Sequence, residues 1–189
     1  MAAGARLLVW SIEATRGFDT AWAAVDDGRL EAEGRACGLL PTPYWISYQL
    51  LTRDSFVTSH LLVEARWQDG SAKLDLRRES DGWTENGAER QDLAEALDCD
   101  LAACPLTNTM PVLRHGLERE AGDHELLMAF VEVPSLRVVP SHQRYTQIQR
   151  IDTGAVVRYR SGTFQSDIVL DADGFVVEYP KLGRRVSET

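Results

Sequence analysis

Along most of the chain, apolar and polar side chains alternate with a period of two, and turn dipeptides interrupt the alternation at short intervals. Ala72, Leu74 and Leu76 fall on one side and Lys73, Asp75 and Arg77 on the other, the pattern of a strand with one face in a core. Phe164, Ile168 and Leu170 alternate with Gln165, Asp167 and Asp171, and Phe175, Val177 and Tyr179 resume the pattern after Asp173-Gly174, which predicts a C-terminal hairpin. Residues 20–25, 29–36, 45–51, 56–66, 125–133, 143–149 and 155–160 read as further strands, each bounded by Gly, Pro, Asp or Ser. Asp27-Gly28, Asp69-Gly70, Asp81-Gly82, Asn86-Gly87 and Asp173-Gly174 supply turns, because these residue types tolerate the positive φ of tight hairpins. One stretch departs from period two: Leu93, Leu97 and Leu101, at four-residue spacing, predict a helix over 91–103.

Connections this short leave no room for parallel crossovers, which need about a dozen residues. The expected fold is therefore mainly β, a single domain over residues 1–189 with its core at roughly 6–185, built on a large antiparallel meander with one or two short helices. Pro134 and Pro140 bracket a short extended segment and predict an edge strand or a bend. A single helix is too small to cover such a sheet. Its apolar face must close on itself, pair with a second sheet, or leave a concavity to be filled.

Composition narrows the partners. The apolar share of 44% and charged share of 26% are those of a folded protein. A net charge of -9, with no basic block interleaved with aromatics, argues against nucleic acid. Lys181, Arg184 and Arg185 read as a solvated tail. Cys37, Cys99 and Cys104 are odd in number and lack metal spacing, so they read as reduced, partly buried thiols. His60, His115, His124 and His142 show no paired spacing, and no metal or cofactor is expected. Asp171-Ala-Asp173-Gly174 has part of a calcium-loop spacing, but Pro180 stands where the ligating Glu is required, so it reads as a hairpin turn. The apolar run Leu7-Leu8-Val9-Trp10 is too short for a signal peptide core, and no run of about 18 apolar residues predicts a membrane span; a cytoplasmic location is expected.

Polar side chains with binding chemistry gather in 98–114, where Thr107, Asn108 and Thr109 sit in a Pro-flanked segment and Arg114 has Asp98 or Asp100 as an ion-pair partner. Gln143 and Tyr145, with His142, add hydrogen-bonding and acid-base groups, and Trp10 and Trp45 are the aromatics expected to line a cavity.

The run Asp100-Leu101, then Pro105-Leu106-Thr107-Asn108-Thr109-Met110-Pro111, resembles the central signature of a bacterial family named for glycolipid binding and first described as a domain of unknown function. Trp10 with Glu13, Pro43-Tyr44, Gly82-Trp83, Pro134-Ser135-Leu136, Gln143-Arg144-Tyr145-Thr146 and Asp173-Gly174 to Tyr179-Pro180 fall in the family's order, so the resemblance covers roughly residues 6–185. It departs after Pro111: the family has a hydrophobic residue followed by two arginines, and this chain has Val112-Leu113-Arg114-His115, so Arg114 alone carries over. The resemblance implies a spiralling half-barrel of antiparallel strands, similar to bacterial lipoprotein carriers, and a lipid-like ligand.

The leading expectation is non-catalytic binding of a glycolipid or another amphipathic small molecule in the concavity, through Trp10, Trp45, Asp100, Thr107, Asn108, Thr109, Arg114, Gln143 and Tyr145. The alternatives are an enzyme acting on a hydrophobic metabolite through Asp100, Arg114, His142 and Tyr145, and a protein-interaction module using an exposed sheet edge.

Overall fold

The structure, a computed structural model, describes residues 4–80 and 82–186. Asp81, half of one turn dipeptide, lies outside the described residues. The first eight strands form an uninterrupted meander: β1 (Arg6–Ile12), β2 (Gly17–Asp26), β3 (Arg29–Gly38), β4 (Tyr44–Arg53), β5 (Val57–Trp67), β6 (Gly70–Glu79), β7 (Gly82–Glu85) and β8 (Ala88–Glu89). After an irregular stretch come β9 (Asp98–Leu101) and one short helix, α1 (Thr109–Arg114). A second meander follows, of β10 (Asp123–Val131), β11 (Val138–Ile151), β12 (Gly154–Ser161), β13 (Phe164–Asp171), β14 (Val176–Tyr179) and β15 (Gly183–Arg185).

The two meanders join where the chain's ends meet. β15 pairs with β1, Trp10 opposite Arg185 and Ile12 opposite Gly183, so one continuous sheet runs from β8 through β1 and β15 to β9. Every pairing is antiparallel except β9 with β10, and the sheet does not close into a barrel. The parallel pair has the long connection it requires, residues 102–122, which contains α1.

Alternation in the sequence becomes alternation in burial. β3 reads exposed then buried without a break over ten residues. The turns follow the expected chemistry at Asp27-Gly28 (φ 44° and 73°) and Asn86-Gly87 (φ 51° and 84°). Gly70 has a different role, because a Cβ there would lie 2.7 Å from the Trp67 ring. Pro140 lies inside β11, opposite Ala129, at a position that β12 does not reach, so its missing N–H leaves no partner unpaired.

The helix expected over 91–103 does not form. Gln91–Leu93 is a single 3-10 turn, and Asp98–Leu101 is β9. Leu93 and Leu101 are both buried, but on different elements. Tertiary hydrogen bonds override the leucine spacing: β9 pairs with β10, the Thr58 amide donates to the Leu97 carbonyl (3.0 Å), and the Cys99 amide donates to Thr58 Oγ1 (3.1 Å). The helix that does form, α1, follows a 3-10 turn at Pro105–Asn108, within the Pro-flanked segment that holds Thr107, Asn108 and Thr109.

Residues 91–97 and 102–118, on either side of β9, lie against the sheet's inner face as a plug. Leu93, Ala96, Leu101, Leu106 and Met110 share one core with the inward side chains of β1 to β7, and Val112 and Leu117 share a second with those of β11 to β14. The concavity that little helical cover implied is thus occupied by the chain itself. Among the described residues, no helix is long and apolar enough to cross a membrane.

Candidate functional site

Where the plug meets β9 and β11, buried polar side chains form a connected network. Asp100 on β9 accepts hydrogen bonds from Gln143 Nε2 (2.6 Å) and Thr107 Oγ1 (2.9 Å). The Tyr145 hydroxyl lies 3.1 Å from Gln143 Oε1 and 3.0 Å from Asn108 Oδ1, sharing its proton between them. Asn108 in turn donates to the Pro105 carbonyl (3.4 Å). Gln143 and Tyr145 are two residues apart on β11 and therefore point to the same, inner face. Five expected site residues, Asp100, Thr107, Asn108, Gln143 and Tyr145, meet here.

The network opens at one point. Asp100, 8% exposed, and Asn108 form part of the floor of a cleft of about 280 Å³ between the plug and β10 to β14. Tyr159, Tyr179 and Phe164 wall it, their rings in edge-to-face or tilted contact at 5.9 to 6.4 Å, and Ser141 and Ser161 add hydroxyls. The Tyr179 hydroxyl has no hydrogen-bond partner among the described residues. Among the described residues, no Lys or Arg side chain lines the cleft, although the Lys181 ammonium lies 5.6 Å from the centroid of the Phe164 ring.

Burial pushes the Asp100 carboxyl up to about 6, against the opposing hydrogen bonds from Gln143 and Thr107, while the nearby Asp98 adds to the rise. Burial also lifts the Tyr145, Tyr159 and Tyr179 hydroxyls above the usual phenol range, so they stay protonated donors at neutral pH. Asp100 is the group of this cluster that can exchange a proton near neutrality.

The remaining expected residues lie elsewhere. Arg114 chelates Asp98, Nη1 to Oδ1 at 2.6 Å and Nη2 to Oδ2, and is held away from the cleft. Of the two carboxylates the sequence offered it, Asp98 is the partner. Thr109 is buried with its hydroxyl unpaired. Trp10 is fully buried in the core, its Nε1 donating to the Val176 carbonyl (2.9 Å), and does not line this cleft. Trp45 is 47% exposed on the sheet's outer face, away from this cleft. His142 projects from β11 opposite to Gln143 and Tyr145, so the four groups of the enzyme alternative do not converge.

Sequence reasoning did not single out Tyr159, Tyr179, Phe164, Ser141 or Ser161. The available signal was hydroxyl-bearing tyrosines at inward strand positions where aliphatic side chains would suffice, at Tyr145, Tyr159 and Tyr179. Among the described residues, no group of three or more His, Cys, Asp or Glu side chains is placed to hold a metal ion.

Comparison with known proteins covers nearly the whole chain. A family model described as "Putative glycolipid-binding" matches residues 7–185. A crystal structure of a DUF1089 family protein from Pseudomonas aeruginosa superposes with a TM-score of 0.73 at 26% identity, covering 89% of this chain and 92% of that one. No curated protein matches the sequence.

Proposed function

The chain belongs to this glycolipid-binding family, and from the cleft at Asp100 we propose that it binds, without catalysis, the uncharged sugar headgroup of an amphipathic molecule. The observation that carries the reading is an acceptor carboxylate at the floor of an aromatic-walled cleft that no cation lines. A hexose offers hydroxyl donors to Asp100 and an apolar C–H face to Tyr159, Tyr179 or Phe164, and the serine and tyrosine hydroxyls can meet its remaining oxygens. An anionic headgroup would meet the Asp100 carboxylate at the floor, whereas the cation nearest the wall, Lys181, is engaged over the Phe164 ring 5.6 Å from its centroid and is not among the lining side chains.

Size divides the ligand between protein and solvent. About 280 Å³ lies just below the usual range for small-molecule sites, so it takes one ring and little more. With the inner face filled by the plug, only the first methylenes of a tail can lie along Leu182 and the half-exposed Phe164. Three such methylenes contribute about 2.4 kcal/mol before ordering costs, so the headgroup leads the recognition.

Native mass spectrometry of protein purified without detergent, followed by organic extraction, tests the proposal. The expected result is a co-purifying or added hexose-bearing amphiphile that is retained by the parent protein and lost on Tyr179→Ala. A ligand-free mass that stays unchanged when an alkyl hexoside is added would overturn it.

A further inference from the structure

The outer face of the sheet carries a second cleft, of about 500 Å³, lined by side chains that the site at Asp100 does not use. Phe18 on β2, Cys37 on β3 and Trp45 on β4 are direct cross-strand neighbours, Phe18 opposite Cys37 and Cys37 opposite Trp45. All three point outward, with Phe18 54% and Trp45 47% exposed. Two residues along each strand, the next row places Arg35 between Thr20 and Ser47.

Strand spacing sets the width. Phe18 and Trp45 stand two strand separations apart, about 9.6 Å, with the small Cys37 side chain between them as a floor. A flat ring touching an aromatic face on each side needs about 7 to 8 Å, which a slight inward lean of the two side chains supplies. Trp45 presents one open face, because the Arg66 guanidinium, carried by its cross-strand partner on β5, lies 5.7 Å from the ring centroid.

Charge sets the end group. Arg35 makes no ion pair and no side-chain hydrogen bond among the described residues, and the hydroxyl side chains of Thr20 and Ser47 flank it. In a chain of net charge -9, whose average field repels anions, a bound anion must gain from a local cation, and Arg35 is the one lining this cleft. A carboxylate there accepts from the guanidinium fork and the hydroxyls together.

We infer that the Phe18–Cys37–Trp45 slot is a binding site for a small planar aromatic carboxylate, its ring between Phe18 and Trp45 and its carboxylate on Arg35. The site is independent of the cleft at Asp100, on the opposite face of the sheet.

Cys37 provides the readout, since it is exposed while Cys99 and Cys104 are buried. The experiment follows alkylation of the full chain by iodoacetamide with mass spectrometry, with and without 2-naphthoate, and with 2-naphthamide as the neutral isostere. Labelling at Cys99 or Cys104 reports unfolding, so a variant that fails to fold is recognised. At a naphthoate concentration ten times its Kd, Cys37 labelling slows about tenfold. Naphthamide at the same concentration protects less, Arg35→Gln removes the difference between the two, and Trp45→Ala removes protection by both. Equal protection by naphthoate and naphthamide in the parent, or protection that survives Trp45→Ala, would overturn the inference. So would labelling that slows with protein concentration alone, which would make a second copy of the chain the occupant.

Discussion

Asp98 and Asp100 lie two residues apart on the same short strand, both buried, and they meet opposite fates. Asp98 is gripped by the Arg114 guanidinium, so that the last residue of α1 is tied to β9 and the plug is fastened to the sheet. Asp100 has only neutral donors, Gln143 and Thr107, and is the member of the pair that lines a cleft. Burial raises both carboxyls; at Asp98 the adjacent guanidinium opposes the rise, whereas at Asp100 only hydrogen bonds do. A paired charge makes an anchor. A charge held by neutral groups at an opening remains able to accept a hydrogen bond from a ligand, at a cost in stability.

Removing the anchor should have the largest effect. Asp98→Ala leaves the Arg114 guanidinium buried without a counter-charge and is expected to cost about 3 to 5 kcal/mol in urea unfolding. A loss below about 1 kcal/mol would show that the pair is not what fastens the plug.

The open carboxylate should declare itself through pH. Because the folded-state value is about 6 and the unfolded value 3.8, the folded protein holds this proton longer than the unfolded chain does. The parent therefore loses stability as pH rises from about 4 through about 6. Asp100→Asn removes that dependence, so its stability relative to the parent should climb by about 3 kcal/mol across the same window and then level off. A flat difference would place Asp100 in a far more polar setting than the network describes.

A smaller effect is expected at Tyr145→Phe, which takes one donor from Asn108 Oδ1 and Gln143 Oε1 while keeping the buried ring. The expected loss is about 1 to 2 kcal/mol, measured by the same unfolding. Ser161→Ala, at the cleft's rim, should change stability by less than about 0.5 kcal/mol and thereby separates cleft residues from anchor residues.

Local rules made the two meanders legible. The unbroken alternation of Arg29–Gly38, the turns at Asp27-Gly28 and Asn86-Gly87, and the strand at Ala72 to Arg77 are all set within a few residues, where period-two patterning and turn chemistry act. The plug was not legible, for the opposite reason. Leu93, Leu97 and Leu101 have a helix's spacing, but their conformation is decided by Thr58, some 40 residues away, and by pairing with β10. Pairing of β1 with β15 is also non-local, and no window of sequence contains it.

The candidate site was legible in part for the same reason. Thr107 and Asn108 were visible as polar residues in an apolar frame, and Gln143 and Tyr145 as polar residues in a strand. Tyr159 and Tyr179 satisfied the period-two pattern and so looked like core. Trp10 shows the converse: a strand pattern marks an aromatic as facing one side or the other, but whether that side holds a cavity depends on what the plug covers.

The most direct test is isothermal titration of the parent, Asp100→Asn and Trp45→Ala with an alkyl glucoside kept below its micelle concentration. The expected result is saturable binding by the parent and by Trp45→Ala, weakened about tenfold by Asp100→Asn through loss of a charge-assisted acceptor. Identical isotherms for the parent and Asp100→Asn, or no binding by the parent at all, would contradict the placement of a sugar headgroup at Asp100.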